Sequence, residues 1–189
     1  SILSTLGTAD LSMIDTAKYL YVDWYDGSYA LSAIRRATTV GVPVFLNLES
    51  QFRNTNLIEQ IAQSTDICQV SLDEPGGYGS SPVEIADNLL NAGVQTVLIT
   101  MGANGCFATD GKQSVLLDDI PQIKVVDGYA AGAMFSAAFI SGQINDRSLS
   151  DCTRFAAAAG TLSCTAIGPS VFPVSQIEEF ASKVSVSYL

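Results

Sequence analysis

Histidine is absent from the chain. That excludes histidine-based nucleophile triads and imidazole-ligated zinc. The four cysteines, Cys68, Cys106, Cys152 and Cys164, lie far apart and form no CxxC pair. Each sits in an apolar or small-residue run, so the expectation is buried, reduced thiols and a cytoplasmic location. Basic residues are scarce, nine against nineteen acids, for a formal net charge of −10. That balance argues against a nucleic-acid groove or an anionic membrane surface as partner. Any bound anion must then rely on backbone amides, helix termini, a metal ion or the few basic side chains. No apolar run reaches the roughly 20 residues of a membrane span. The opening SILSTLGTADLS lacks a basic stretch and a methionine. It reads as neither a signal peptide nor a translational start, which leaves an internal start in a longer product or a removed tag.

What is present is apolar: 48% of the 189 residues are hydrophobic and 15% are charged. That suits one well-buried domain over 1–189. Strand patterns fall at 18–24, 42–48, 66–72, 94–102 and 123–127. Helical patterns fall at 28–41, 55–64, 80–93, 130–142, 149–165 and 174–184. Asn54 or Thr55 is the expected cap of the second helix. Ser81 before Pro82, with Glu84 following and Gly93 closing, marks the third. CFATDG (106–111) and QSVLLDD (113–119) suggest a hairpin across Asp110-Gly111. Strands separated by helices imply parallel crossovers, hence an α/β sandwich with ligands beyond the carboxyl ends of the strands.

Four stretches carry residues suited to chemistry. VVDGYAAGAMF (125–135) runs from a β-branched pair through an Asp and a small-residue turn into a helix. A helix start offers unpaired N–H donors to a phosphate, yet tight helix–sheet packing needs the same small residues. ITMGANGCFATDG (99–111) brackets a short loop with Gly102 and Gly105, which fits a nucleotide pocket or an ordinary turn. SLDEP (71–75) places Asp73 and Glu74 past a strand end, where they reach magnesium through water or are merely solvated. TAIGPSVFP (165–173) ends an alanine-rich helix; it either exposes carbonyls to a cation or simply stops the helix.

The order of these segments resembles the C-terminal part of the ribokinase-like (pfkB) sugar kinase family. TMGANG (100–105) is similar to the family's Thr-x-Gly-x-x-Gly loop, and VVDGYAAGAMF to the strand ending in Asp-Thr-Thr-Gly-Ala-Gly-Asp. RFAAAAGTLSCTAIG (154–168) and PVSQIEE (173–179) follow in register. VSLDE (70–74) looks like Asn-x-x-Glu, and GVPVFLNLESQFR (41–53) like the strand leading to Asp-x-x-x-Arg. The resemblance implies a three-layer αβα sandwich with a mostly parallel sheet. It also implies ATP and Mg²⁺, a K⁺-type monovalent cation, and phosphoryl transfer to a sugar hydroxyl.

Carried over by position, the amides of Ala130, Ala131 and Gly132 form the anion hole that stabilises charge on the transferred group. Thr100, Gly102, Asn104, Gly105 and Ala159 fall at nucleotide-binding positions. Glu74 orders water on Mg²⁺. Asp127, with Ala166, Gly168 and Ser170, falls at the monovalent-cation site. The departures are equally specific. Ala133 stands at the position of the family's catalytic base, and a methyl group accepts no proton. Ala130 replaces a glycine, where a positive φ costs of order 1 kcal/mol. Gly128 and Tyr129 replace two threonines, Ser71 replaces the Asn, and Asn47 an Asp. The family's N-terminal strands, sugar-binding Gly-Gly segment and lid have no counterpart here, so a sheet edge is expected to be open unless a partner or second copy covers it.

The expectation is therefore a sugar kinase by descent, truncated and inactive. The alternatives are a pseudokinase that still binds nucleotide, a structural or interaction protein, or an unrelated α/β binding domain.

Overall fold

A computed structural model describes residues 8–24, 30–72 and 81–189. The chain divides into two compact units at Leu98/Ile99.

The first unit is built from parallel crossovers. Strand β1 (Leu20–Asp23) pairs with β2 (Val44–Glu49), and β2 with β3 (Ile67–Ser71). Helix α1 (Ala30–Val40) returns the chain from β1 to β2 and buries Ile34 and Ala37. Helix α2 (Thr55–Ile61) follows β2 and packs against α3 (Pro82–Ala92). β2 is buried along nearly its whole length, with Phe45, Leu46 and Leu48 at 0% exposure. That is the pattern of a strand covered on both faces. Asp66 organises the strand starts. Its carboxylate accepts the Val44 amide at 2.7 Å and the Gln95 side chain at 2.9 Å, while its carbonyl accepts the Thr96 amide at 2.9 Å.

The helix ends follow the sequence signals. Asn54 caps α2 by accepting the Leu57 amide at 3.2 Å. Ser81 and Glu84 close a reciprocal capping box around Pro82, and Gly93 ends α3 with φ of 121°. The pattern at 55–64 splits: after α2 the chain tightens into a 3-10 turn at Ala62–Ser64.

Strand β4 (Thr96–Thr100) straddles the division. In the second unit β5 (Cys106–Thr109) and β6 (Ser114–Leu117) form the expected hairpin, and β7 (Ser187–Tyr188) adds antiparallel to β6. Strand order follows the sequence, β1 to β7, in a mostly parallel sheet. Helices α4 (Ala131–Ile144) and α5 (Leu149–Ser163) pack closely against each other. Small residues allow that approach. A Cβ at Gly142 would press on Cys152 Sγ, and one at Gly160 would lie 3.1 Å from the Ala131 carbonyl oxygen. The run Ala156–Ala159 is buried, and α5 rests on β5 and β6. Helix α6 (Val174–Ala181) packs on α5.

One expected strand is absent. Residues 123–127 have irregular backbone, with Val125 64% and Val126 51% exposed. β-Branched residues favour a strand only where a neighbour pairs with it. Here the amides of Val126 and Asp127 both donate to the Cys164 carbonyl, at 2.8 and 3.2 Å. The segment is tied to the end of α5 instead of to a ladder. Three short elements carry no sequence signal: β7, and 3-10 turns at Ser12–Thr16 and Gln51–Arg53. Among the described residues no helix is long and apolar enough to cross a membrane.

Candidate functional site

The turn before α4 is fixed by one carboxylate. Asp127 Oδ1 accepts the Tyr129 amide at 2.9 Å, and Oδ2 accepts the Gly168 amide at 2.9 Å. These bonds, the one from Tyr129 first, hold the carboxyl below the usual range. Ala131 N–H then donates to the Gly128 carbonyl at 3.3 Å, and Met134 N–H to the Ala130 carbonyl at 2.9 Å. Ala130 takes the left-handed conformation, φ 65° and ψ 9°, where a methyl-bearing residue is strained. No side chain caps α4. The amides of Gly132 and Ala133 have no acceptor among the described residues. They are the orphan donors of a helix start, backed by the dipole of a 14-residue helix. Ala133 itself is exposed on that first turn.

The turn is joined to the 164–170 loop. Besides the Asp127–Gly168 bond, Ser170 Oγ donates to the Gly168 carbonyl at 3.3 Å, and Gly168 has a φ of 68°. Asp127, Gly168 and Ser170 are thus brought together, and Ala166 lies in the same turn. Both oxygens of Asp127 already accept amides, so the carboxylate acts as a clasp between two turns.

The 100–105 loop is organised by its own backbone. A 3-10 turn spans Gly102–Asn104, and Met101 N–H donates to the Gly105 carbonyl at 2.9 Å. Gly105 has a φ of 89°, and a Cβ there would overlap the Leu117 carbonyl. Packing against β6 is reason enough for this glycine. Gly102 and Asn104 are exposed and Thr100 is half-buried. Ala159 is 1% exposed, inside the core on α5. Glu74 and Asp73 lie outside the described residues.

In the first unit the strand ends hold a polar row that the sequence reading did not find. Asp23, Asn47 and Gln69 are register partners across β1, β2 and β3. Asn47, 2% exposed, donates its side-chain amide to Asp23 Oδ1 at 2.9 Å and to Glu49 Oε1 at 2.8 Å. The Tyr21 hydroxyl donates to the same Asp23 oxygen at 2.6 Å. Glu49 sits at an irregularity of the β2–β3 register with a φ of 50°. An Asn is the residue whose two N–H donors can hold two carboxylates together. Its presence at 47 was visible, but its partners lie two residues downstream and on another strand.

The pattern of the pfkB family carbohydrate kinases matches residues 7–176. The chain belongs to that family, and its fold is ribokinase-like. It is 30% identical to the ribokinase of Arabidopsis thaliana over 138 residues, which are 69% of this chain and 35% of that protein. It is 31% identical to the 2-dehydro-3-deoxygluconokinase of Escherichia coli K12 over 110 residues, 56% of this chain and 36% of that one. The structure of the Arabidopsis ribokinase in complex with ribose and ATP superposes with a TM-score of 0.76 at 23% identity. That superposition covers 91% of this chain and 58% of the other. The matched part spans about a third of these two relatives' own length, 35% and 36%.

Proposed function

We propose that this chain is the nucleotide-side portion of a pfkB sugar kinase that binds ATP but has lost efficient phosphoryl transfer. The observation that carries the reading is the first turn of α4. Its amides at Gly132 and Ala133 are without acceptors, while the side chain at 133 is a methyl group. The first feature suits a phosphate; the second removes the group that would take the proton of a sugar hydroxyl. Preorganised amides stabilise charge on a transferring phosphoryl group whether or not a base is present. A base at hydrogen-bond distance from the attacking hydroxyl supplies the remaining step.

The donors present fit a nucleotide phosphate. Thr100, Gly102, Asn104, Gly105 and Ala159 are the residues we assign to the nucleotide. Glu74 would order water on Mg²⁺, which when bound withdraws charge from the phosphates. Asp127 is a poor replacement for the missing base, because the amides of Tyr129 and Gly168 stabilise its ionised form and so lower its basicity. Its part in a K⁺ site, with Ala166, Gly168 and Ser170, is that of holding the loop whose carbonyls would face the ion. Buried Cys68, Cys106 and Cys152 fit a reducing, cytoplasmic setting.

The test is calorimetry with MgATP beside an assay of transfer to hexoses and pentoses. Binding at millimolar nucleotide without turnover is expected. Turnover at rates typical of kinases would overturn the loss of catalysis, and no heat would overturn nucleotide binding. A second reading, an interaction protein working as a homodimer, is favoured by exposed Val125, Val126, Tyr129, Ile167 and Val171 on the two joined segments. Light scattering of the isolated chain distinguishes it.

A further inference from the structure

Helices α5 and α6 of the second unit border a cavity of about 300 Å³, well away in sequence from the turn at 127–133. Arg147, Asp151, Arg154, Phe155, Glu178 and Ser182 line it. Two of the chain's five arginines therefore meet here, in a protein of net charge −10.

The two guanidinium groups are held differently. Arg147 lies 4.4 Å from the Phe155 ring centroid and donates Nη2–H to Glu178 Oε1 at 2.8 Å. Stacking and ion pair together fix its plane. Arg154 is under-satisfied. Its Nη2 stands 3.7 Å from Asp151 Oδ1, beyond hydrogen-bond length, and its buried Nε–H has no acceptor among the described residues. Asp151 is drawn the other way, since its Oδ2 accepts the Ser148 hydroxyl at 2.7 Å. The side chains of Asp151 and Glu178 are 56% and 52% exposed, against 35% and 30% for Arg154 and Arg147. The carboxylates are the outer, more solvated members of both pairs. Such exposed pairs resist displacement weakly.

We propose that this cavity binds a small dianionic oxyanion, inorganic phosphate or the phosphate of a phosphomonoester, between Arg154 and Arg147. A guanidinium presents parallel donors that match two oxygens of such a group. The ligand takes the place that Asp151 fills poorly on Arg154, and meets Arg147 through in-plane N–H groups other than the one given to Glu178. Asp151 and Glu178 line the same cavity, so its formal charge is balanced, and the ligand gains chiefly on Arg154, whose own carboxylate stands 3.7 Å away.

The experiment titrates the full chain with inorganic phosphate at pH 7.5, at constant ionic strength set with chloride, by calorimetry. Parallel arms use ribose 5-phosphate and glucose 6-phosphate. Saturable binding is expected. Arg154→Gln should weaken it by about 10-fold or more, as loss of a charge-assisted contact does. Asp151→Asn, which removes the competing carboxylate, should strengthen it by about threefold. Tighter binding of an ester than of phosphate identifies the ester as ligand; equal binding identifies free phosphate. If Arg154→Gln fails to fold, the gain in Asp151→Asn still decides. No saturable binding, or an affinity that both variants leave unchanged, overturns the proposal. The second result would place the anion at the start of α4.

Discussion

Asp127 accepts the amide of Gly168, 41 residues downstream, at 2.9 Å, and so locks the turn before α4 to the loop after α5. Its other oxygen holds the Tyr129 amide. Asn at this position keeps one acceptor and adds two donors, so one of the two amides loses its partner. Asp127→Asn should therefore lower stability at pH 7. The same bonds depress the carboxyl from its ordinary value of 3.8. A carboxyl depressed in the folded state contributes stability above its unfolded pKa, and that contribution is lost as pH falls through the folded one. The gap between wild type and Asp127→Asn should thus stay constant from pH 7 to about 5 and close below about 4. Urea melts across this range measure it; a gap that widens on acidification would contradict the assignment.

Ala130 carries a φ of 65°, which a glycine adopts without strain. Relief of that strain outweighs the extra freedom glycine has in the unfolded chain. Ala130→Gly should raise stability by about 0.5–1 kcal/mol in denaturant melts. A loss of stability would mean that the turn adopts another conformation in solution.

Local chemistry made much of this fold legible. Ser81, Pro82, Glu84 and Gly93 mark both ends of α3 because caps act within a few residues. β2 and β4 were readable because a strand covered on both faces is apolar throughout. The segment at 123–127 was misread because two valines look the same whether their amides meet a strand or the Cys164 carbonyl. The turn at 127–133 was found through its place in an ordered series of motifs, not through its composition, which suits plain packing equally well. The Asp23–Asn47–Glu49 cluster stayed hidden because register across strands is a tertiary property. Likewise, nothing local brings Arg147 to Glu178, 31 residues away.

Two glycines of the second unit should respond very differently to alanine. At Gly105 a Cβ would overlap the Leu117 carbonyl, and the φ of 89° is unfavourable besides. Both the loop backbone and β6 would have to move. Gly105→Ala should cost about 3 kcal/mol. Gly128 has open space where a methyl group would stand, and no left-handed φ. Gly128→Ala should fall within about 0.5 kcal/mol of wild type. Equal effects in thermal or urea melts would refute this account of the two loops.

Ala133 is exposed on the first turn of α4, so an acidic side chain there meets no steric obstacle. Asp and Asn at this position separate structure from chemistry. The charge of Asp faces a helix start with unpaired amides, and should stabilise the chain by about 0.3–1 kcal/mol at low ionic strength, fading with salt. Asn lacks the charge and cannot accept a proton at neutral pH. If the missing base limits phosphoryl transfer, Ala133→Asp should raise ATP-dependent phosphorylation of sugars by about 10²–10⁴-fold over the wild-type background. Ala133→Asn should leave it at that background. The gain should also vanish on acidification, as the carboxylate is protonated. Matched MgATP affinity in all three proteins would confine the difference to the chemical step. Transfer by Ala133→Asp no faster than by Ala133→Asn would show that the base is not what this chain lacks.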